Sequence, residues 1–449
     1  MSELPVGWSW ADLSQACNSI TDGDHQAPPQ VPAGIPFLVI GNIRTHQLDF
    51  TDCRHVPSDY FESLNSVRRP QAGDVLYSLV GSYGISVLVK DDTPFCVQRH
   101  IGILRPSQRM NSAFLALALS GRAVFDQATE FATGTAQMTV PLSGLRRIRI
   151  ALPPRPEQDR IVAAIEEQFS RLDAGVAALE RARHNIKRMR AAALGGLLHA
   201  EDGIPFAEVA LGDVLMRGRY GTSTKCSATG EGLPVLRIPN VQSGKIVLSD
   251  LKYAIDLSVD IRASRVEKDD ILIIRTNGSR SLIGRAAVVP QLPYQVAFAS
   301  YLIQLKMDSA RVNPEYVVAA LSAPSLRVRI EELAATSAGQ YNISLDKLRS
   351  LRIPLPSLSQ QARALSTASS LLSFADQIDK DVLSALIKAN NLRSAILTRA
   401  FAGELVPQDA GDEPAAVLLE RMTAVREASN GHKAARTRKA RAQEREVTA

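Results

Sequence analysis

Hydrogen-bonding side chains gather in short loops that directly follow strand-like apolar runs. The richest loop lies within IIRTNGSRSLIGR, where Arg275, Asn277, Ser279 and Arg280 surround Gly278. Such side chains on exposed loops can bond to base edges in a DNA groove, and a glycine lets the backbone approach closely. A hairpin turn with a merely solvated polar tip would have the same composition, so both interpretations stand.

The same types of side chain occur in another loop of the second half and in several loops of the first half. The candidates in the second half, within RGRYGTSTK, are Arg217, Arg219, Tyr220, Thr222, Ser223 and Lys225. The candidates in the first half are Arg44, His46, Gln47, Arg68, Arg69, Ser82, Tyr83, Gln98, Arg99 and His100. Paired arginines suit phosphate better than base edges, and solvated loop charge explains each group equally well.

Sequence signatures of catalysis are missing. The chain has no GxxxxGK[ST] phosphate loop, no GxGxxG after a strand, no HExxH and no GxSxG. The four cysteines, Cys17, Cys53, Cys96 and Cys226, lack CxxC spacing, which excludes a zinc ribbon. We therefore predict a non-enzymatic chain without a catalytic or metal site. An enzyme with an unrecognised site, such as a nuclease, is the alternative.

The composition is that of a globular protein with two or three domains. Of 449 residues, 45% are apolar and 22% are charged, which argues against wholesale disorder. The net charge of +6 permits a polyanionic partner without proving one. Apolar runs are far shorter than the ~20 residues of a membrane helix, and MSELPVGWSW lacks the pattern of a signal peptide. We expect a cytoplasmic chain that does not enter a membrane.

The sequence contains an internal repeat, so the chain consists of two similar units. GTAQMTVPLSGLRRIRIALPP matches AGQYNISLDKLRSLRIPLP without a gap, so that Gln137 pairs with Gln340, and upstream IPFLVIGNI matches LPVLRIPNV. A period of ~200 residues indicates a domain duplication. Each unit combines strand-like runs, such as VLYSLV and ILII, with a long helix that starts near LPPRPEQ or LPSLSQQ. The recurring glutamines predict either hydrogen bonding within the fold or a phosphate contact.

Each half ends in a predicted long amphipathic helix. The apolar residues of the first helix form a near-heptad stripe, at Ile165, Phe169, Leu172, Val176, Leu179, Ile186, Ala193 and Leu197. Arg183 interrupts this stripe, and Asp379 interrupts the corresponding stripe of the second helix. Such a stripe must be buried, so we expect the helices to pair as an antiparallel coiled coil ~60 Å long. The alternative is two separate helices, each packed on its own domain.

Together these motifs resemble the specificity subunit of type I restriction–modification systems. The resemblance rests on the duplication, on TAQMTVPLSGLRRIRIALPPRPEQ and SAGQYNISLDKLRSLRIPLPSLSQQ before the long helices, and on LRSAILTRAFAGELVPQD and DEPAAVLLERM. It implies an α+β fold with two β-rich target recognition domains separated by two long antiparallel coiled-coil helices with pseudo-two-fold symmetry. The implied target recognition domains are residues 1–152 and 201–354, the spacer helices are residues 153–200 and 355–402, and a short helix and basic tail occupy residues 403–449.

The same resemblance implies DNA recognition without catalysis by this chain. Each recognition domain would read one half of a bipartite target on double-stranded DNA, with the coiled coil fixing the gap. Two modification subunits with S-adenosylmethionine would methylate adenines, and restriction (translocase) subunits with ATP and magnesium would join them, while this chain would hold no cofactor. A coiled-coil scaffold whose β-rich modules bind protein or carbohydrate is the alternative. The basic tail is expected to be a solvated terminus or to attract DNA weakly.

Overall fold

The two copies of the sequence repeat form two units of the same design. The computed structural model describes residues 3–25, 28–44, 46–200, 205–230, 232–242, 244–255, 259–337 and 339–426, so the basic tail beyond residue 426 lies outside the described residues. Unit 1 comprises Met1–Ala177 and Leu386–Ala449, and unit 2 comprises Ala178–Ala385. Each unit therefore contains one strand-rich region and a stretch of each long helix.

In the first half, short strands and short helices precede the first long helix. The strands are β1 (Ser9–Asp12), β2 (Cys17–Asp22), β3 (Ile35–Leu38), β4 (Arg54–Val56), β5 (Val75–Ser78), β6 (Ser86–Leu88), β7 (Cys96–Val97), β8 (Ile101–Pro106) and β9 (Arg149–Leu152). The helices are α1 (Leu13–Ala16), α2 (Ser58–Ser63), α3 (Ser112–Leu119), α4 (Arg122–Phe131), α5 (Leu142–Arg147) and the long α6 (Arg155–Gly196).

The second half repeats this order and ends in the second long helix. The strands of its central and outer sheets are β10 (Glu208–Ala210), β11 (Leu215–Tyr220), β12 (Cys226–Ser227), β13 (Pro234–Leu236), β14 (Val241–Gln242), β15 (Lys245–Ile246), β16 (Lys252–Ala254), β17 (Ile271–Ile274), β18 (Thr276–Asn277), β19 (Ala286–Val288), β20 (Ala297–Phe298), β21 (Leu302–Met307), β22 (Ala335–Ser337), β23 (Gln340–Asn342) and β24 (Arg352–Pro354). The helices are α7 (Val259–Ala263), α8 (Pro314–Leu321), α9 (Pro324–Leu333), α10 (Leu345–Ser350) and the long α11 (Leu358–Phe401). A further helix spans residues 415–426.

A four-stranded antiparallel sheet forms the centre of each unit. Its strand order is β2-β8-β5-β6 in unit 1 and β11-β21-β17-β19 in unit 2. The register also agrees, because Val75 faces Leu104 in unit 1 and Ile271 faces Leu305 in unit 2. A smaller sheet in each unit contains one parallel pair, β3 with β7 and β13 with β20. The strand-like runs predicted from VLYSLV and ILII therefore form equivalent central strands.

The central strands are buried on both faces. Every residue of β5 and of β17 is buried, as expected for a continuous apolar run. Alternate residues enter different cores: Ile271 and Ile273 belong to the core beneath the helices, whereas Leu272 and Ile274 belong to the core shared with the smaller sheet. This alternation follows from the two-residue period of a strand. It holds the strand ends, and the loops beyond them, in fixed positions.

The long helices pair along their predicted stripes, and within each unit their segments run antiparallel. In unit 1, Ile165 of α6 shares an apolar core with Ile396 of α11. In unit 2, Arg183 lies 3.5 Å from Asp379, and Arg190 further along α6 lies 2.8 Å from Asp376 earlier in α11. The two residues predicted to interrupt the stripes therefore form an ion pair. The alternative of separately packed helices is wrong.

Candidate nucleic-acid interface

Loops that carry many of the predicted contact residues meet at one end of each central sheet. In unit 2, β11 ends at Tyr220, β17 ends at Ile274, and their antiparallel neighbour β21 begins at Leu302. Neighbouring strands lie ~4.8 Å apart, so Arg275 and Tyr301, just beyond these ends, share one patch with Tyr220. We call this patch sheet end 2. Sheet end 1 is its counterpart in unit 1, formed by the loops after β2 and β5 and before β8.

Arg275 is oriented by two neighbours at sheet end 2. Its guanidinium carbon lies 4.4 Å from the centre of the Tyr220 ring, and its Nε donates to Asn342 Oδ1 at 3.3 Å. The Tyr220 hydroxyl accepts the backbone N–H of Leu345 at 3.0 Å, which fixes the ring in turn. Stacking and the bond to Nε set the plane of the guanidinium. No described residue forms a hydrogen bond with its terminal nitrogens, Nη1 and Nη2.

The other polar residues of this loop are already engaged within the fold. The Asn277 Oδ1 accepts the backbone N–H of Ser279 at 2.7 Å, which shapes the turn around the exposed Gly278. Arg280 is exposed, but its Nη2 donates to the Glu331 carbonyl at 3.1 Å and its Nε lies 3.8 Å from the Glu331 carboxylate. Of the arginines predicted in this loop, Arg275 is thus the better placed to bind a partner.

Two predicted contact residues of unit 2 face the interior. The Nε of Arg219 donates to Gln304, and its Nη2 donates to the Arg265 carbonyl at 2.5 Å. Burial lowers the pKa of Arg219, and a neighbouring arginine lowers it further. Thr222 is only 2% exposed, and its hydroxyl pairs with Thr224 at 2.8 Å. We therefore correct the predicted contact set by removing Thr222, because a buried side chain does not reach a duplex.

The remaining candidates of RGRYGTSTK are exposed and lie within β11 or in the connection that follows it. Arg217 lies within β11 opposite Lys306, three residues before the strand ends. Lys225 directly precedes β12, which belongs to the smaller sheet, and Ser223 is exposed in the connection between the two strands. Their positions suit charge attraction over a wider surface rather than contact with the same base pairs as Arg275.

An aromatic pair occupies sheet end 1. The ring of Tyr83 stacks on Phe125 of α4, with ring centres 5.4 Å apart and planes 15° apart. The Tyr83 hydroxyl donates to Thr129 Oγ1 at 3.1 Å, and Ser82 beside it is exposed. Phe125 is also exposed, so the pair offers an apolar surface with polar neighbours. Such a surface suits contact with bases or with a thymine methyl group.

The recurring glutamine segment packs against the loop after the central strand in both units. In unit 1, the backbone N–H of Gly81 donates to the Met138 carbonyl at 2.9 Å, and Gly81 has a positive φ of +68°. In unit 2, β18 pairs with β23, so that Asn277 faces Tyr341. Gln137 and Gln340 themselves are exposed at these two places. The segment therefore supports both sheet ends in the same way.

The arginine pair of unit 1 is partly neutralised. Arg68 Nη1 lies 3.1 Å from Asp24 Oδ1, and its Nη2 lies 3.8 Å from Asp22 Oδ1 at the end of β2. Arg69 lies with its guanidinium carbon 5.7 Å from the centre of the Phe61 ring. A guanidinium between two carboxylates is attracted less strongly by phosphate, so Arg69 is the better phosphate contact of the two.

The other predicted residues of unit 1 surround sheet end 1. Arg99 is exposed directly before β8, next to the half-buried His100, whose pKa is lowered by burial and by Arg99. His46 is exposed, and its Nδ1 lies 3.2 Å from the carbonyl of Ser86, where β6 begins opposite the end of β5. The side chains beside these residues are Arg44 and Gln47, both exposed, and Gln98, which is half-buried.

Equivalent positions of the two sheet ends carry different side chains. Leu79 and Arg275 each follow the central strand of their unit. The backbone N–H of Leu79 donates to the carbonyl of His100, and that of Arg275 donates to the carbonyl of Tyr301, in each case the residue just before the neighbouring strand, so the two positions are equivalent. Leu79 is 3% exposed. By the registers of β2 with β8 and β11 with β21, Asp22 corresponds to Tyr220. Sheet end 1 thus combines an aromatic pair with carboxylates, whereas sheet end 2 presents a stacked arginine.

Sequence reasoning missed two residues of these surfaces as contact candidates, Phe125 and Tyr301. Phe125 lies on a helix, and its exposure was not visible from its sequence neighbours. Tyr301 is exposed just before β21, which its sequence neighbours did not indicate. Asn342 was singled out from the sequence, because Tyr341 and Asn342 replace Met138 and Thr139 in the recurring segment and so predict a part in readout. In the structure Asn342 orients Arg275 from β23.

The described part of the chain contains no group of three or more His, Cys, Asp or Glu side chains placed to hold a metal ion. Over the same residues, no helix combines the length and the apolar character needed to cross a membrane.

Comparison with known proteins identifies the family. The profile of the type I restriction modification DNA specificity domain matches residues 33–186 and 204–397. The chain is 26% identical to the EcoKI specificity subunit of Escherichia coli K12, and 26% identical to the StySPI specificity subunit of Salmonella potsdam, in each case over 97% of this chain and 98% of the relative.

Two solved structures have a similar fold. One was determined in a study of complex assembly and conformational transition of the type I R-M system; its TM-score is 0.71 at 19% identity, over 90% of this chain and 100% of that chain. The other is the HsdS subunit from Thermoanaerobacter tengcongensis, with a TM-score of 0.54 at 18% identity, over 90% of this chain and 98% of that chain. They confirm the predicted fold class.

A duplicated strand-rich module joined to paired long helices defines a recognition subunit. Since the matched residues make up well over half of the chain, this chain belongs to the type I restriction–modification DNA specificity family. The predicted role as a specificity subunit with DNA-recognition domains is thereby confirmed. The relatives are named as specificity subunits, which agrees with the predicted absence of catalysis by this chain. The alternative of a scaffold that binds protein or carbohydrate is not supported.

Proposed function

We propose that each sheet end reads one half of a bipartite target on double-stranded DNA. The observation that carries this proposal is that the same loops form both sheet ends but present different side chains, such as Leu79 in unit 1 and Arg275 in unit 2. Loops that share a backbone arrangement can dock on a duplex in the same way, because phosphate contacts set orientation. Their differing side chains then select different bases.

The proposed contacts divide into two groups. The base contacts are Ser82 and Tyr83 in unit 1 and Tyr220, Arg275, Asn277 and Ser279 in unit 2. The phosphate contacts are Arg44, His46, Gln47, Arg68, Arg69, Arg99, Arg217, Lys225 and Arg280. Most of the second group are exposed, and all lie outside the interior of the sheets. Arg219 stays with the fold, because its guanidinium is held by Gln304 and Arg265.

The paired helices have the proposed role of fixing the gap between the half-sites. In this division, residues 1–152 and 201–354 are the recognition domains, residues 153–200 and 355–402 are the spacer, and residues 403–449 are a C-terminal extension. Removal of seven residues from each long helix takes out one heptad and shortens the coil by ~10 Å. At ~3.4 Å per base pair, the gap should shorten by up to about three base pairs.

The proposal includes partners and cofactors, and family membership supports them. Two modification subunits with S-adenosylmethionine methylate adenines in the two half-sites, and restriction subunits with ATP and magnesium join them. This chain contributes recognition and holds none of these cofactors. We place the complex in the cytoplasm, where it meets chromosomal and incoming DNA.

Mapping methylated adenines in the genome of a host that carries the complete system tests the proposal. The expected result is a motif with two different halves and a constant gap, and the paired heptad deletion should retain both halves and shorten the gap. An uninterrupted motif would contradict the bipartite reading. An unchanged gap in the deletion variant would contradict the spacer role alone.

A further inference from the structure

We infer that Arg275 reads one guanine, so that the half-site facing unit 2 contains a guanine at a fixed position. This inference rests on the proposed function and goes beyond it, because it names the base and the side chain that selects it. Its basis is the arrangement of Arg275, Tyr220 and Asn342 at sheet end 2.

The first argument concerns which donors of Arg275 remain. Its Nε is used by Asn342, and one face of the guanidinium lies 4.4 Å from the centre of the Tyr220 ring. The two terminal nitrogens therefore project together as a fork of parallel N–H donors. In the major groove, only guanine presents two neighbouring acceptors, O6 and N7, to such a fork. Adenine presents an acceptor beside a donor, and its amino group opposes the second arginine N–H.

The second argument concerns why this arginine suits a base rather than a phosphate. Phosphates are bound well by exposed arginines with freedom to adjust, such as Arg99 and Arg217. Arg275 is half-buried and positioned on two sides, which lowers the entropy lost on forming a bidentate contact. Among the described residues no carboxylate forms an ion pair with Arg275, so its charge is available to an acceptor from outside the chain.

The third argument is that the arrangement belongs to one unit only. The position equivalent to Arg275 is the buried Leu79 in unit 1, and the position equivalent to Tyr220 is Asp22. Neither residue donates a fork of hydrogen bonds. The guanine at this place should therefore be required in one half-site and not in the other.

The test uses the full-length chain assembled with its modification subunits and a library of DNA duplexes of random sequence. Selection and sequencing give the preferred bases for wild type, Arg275→Ala, Arg275→Lys and the control Lys268→Ala. Lys268 is a matched control because it is exposed, carries the same charge and precedes β17, whereas Arg275 follows the same strand. The modification subunits let bound duplexes also be scored by adenine methylation.

The expected result is a loss of preference for one guanine in one half-site. Arg275→Ala should reduce that preference by roughly 5- to 150-fold while the other half-site is selected as before. Arg275→Lys keeps the charge but not the fork, so it should retain binding and lose part of the preference. Lys268→Ala should select the wild-type motif. Asn342→Leu should also weaken the guanine preference, because it releases the Nε of Arg275.

Three results would overturn the inference. In the first, Arg275→Ala retains every guanine of the wild-type motif. In the second, Arg275→Ala loses affinity for all sequences alike, which is the behaviour of a phosphate contact. In the third, Arg275→Lys selects the same bases as wild type. If Arg275→Ala unfolds unit 2, the selection by Arg275→Lys decides. Failure of the proposed function looks different, since wild type itself would then select no bipartite motif.

Discussion

Replacing Gln361 with leucine should destabilise unit 2 strongly, although the side chain touches no predicted contact residue. Gln361 lies in the first turn of α11 and is completely buried. Its Oε1 accepts the backbone N–H of Asn313 at 2.8 Å, and its Nε2 donates to the carbonyls of Pro356 at 2.8 Å and Arg311 at 3.1 Å. One side chain thus joins the start of the long helix to the loop before α8.

The magnitude follows from these three bonds. Leucine leaves one backbone N–H and two carbonyls without their partner, and each such group in a buried place costs about 1–3 kcal/mol. Burial of the leucine side chain returns about 1–2 kcal/mol. We therefore expect the free energy of unfolding to fall by about 1–8 kcal/mol. Among the described residues, the side chain of Gln158, the counterpart in unit 1, bonds to Asn111 and Pro153, one bond fewer than that of Gln361, so Gln158→Leu should have the smaller effect.

Urea unfolding of the full chain measures both effects. Both tryptophans, Trp8 and Trp10, lie in unit 1, so fluorescence follows unit 1 while circular dichroism follows the helices of both units. Gln361→Leu should lower the circular-dichroism midpoint, and Gln158→Leu should lower the fluorescence midpoint. The control is Gln377→Leu, the same change at an exposed site of α11. Equal midpoints for Gln361→Leu and this control would refute the reasoning.

Three further substitutions test other parts of the molecule. Asp379→Ala should lower the free energy of unfolding in urea by about 1 kcal/mol, because it leaves Arg183 without its partner and leaves Arg190 with Asp376 alone. Changing Asp379 and Arg183 together to leucine should recover the part of that loss that comes from Arg183. Burial raises the pKa of Asp270, so the wild-type fold loses stability as pH rises from the ordinary carboxyl pKa to the raised one. Asp270→Asn removes this loss, so the difference in thermal stability between Asp270→Asn and wild type should shift in favour of the variant as pH rises across that interval. Gln340→Ala should weaken binding to cognate and scrambled duplexes alike, by about 0.5–1.5 kcal/mol in titrations.

Each of these has a clear contrary result. If the double leucine variant is less stable than Asp379→Ala, then the unpaired Arg183 is not the cause of the stability lost in Asp379→Ala. A pH-independent difference between wild type and Asp270→Asn would show that burial does not govern this carboxyl group. A change in the selected motif upon Gln340→Ala would assign that side chain to bases instead of phosphates.

Much of the fold could be predicted because its signals are local or repeated. The central strands are continuous apolar runs, and the long helices carry a stripe whose period appears within a few turns. The first spacer helix was expected within residues 153–200, and α6 spans Arg155–Gly196, a difference typical of helix ends. The parallel pairing of β3 with β7 was not predictable, because it joins segments almost sixty residues apart through backbone bonds that no residue type announces.

The candidate contact residues were less predictable than the fold, because their availability depends on hydrogen-bond partners that are distant in the sequence. The sequence identifies arginines in loops, but not which of them is already engaged. Glu331 holds Arg280, Gln304 holds Arg219, and each partner lies at least fifty residues away along the chain. Only the folded structure shows which loop arginine lies beside a hydrogen-bonding partner. From residue type alone, Arg275 and Arg280 are therefore equally good candidates for DNA contact.

If the duplicated chain reads two different half-sites, as proposed, then recurrence and burial together distinguish residues of the fold from residues that contact DNA. Residues that recur and are buried join elements: Asn42 and Asn240 each accept a backbone N–H, at 2.9 and 2.8 Å, at the same turn of their units. Under the proposed function, exposed residues that recur, such as Gln137 and Gln340, are expected to contact what both half-sites share, which is the sugar–phosphate backbone. Exposed positions that differ between the units are then expected to carry the base preference, and many of them lie in the loops after the central strands.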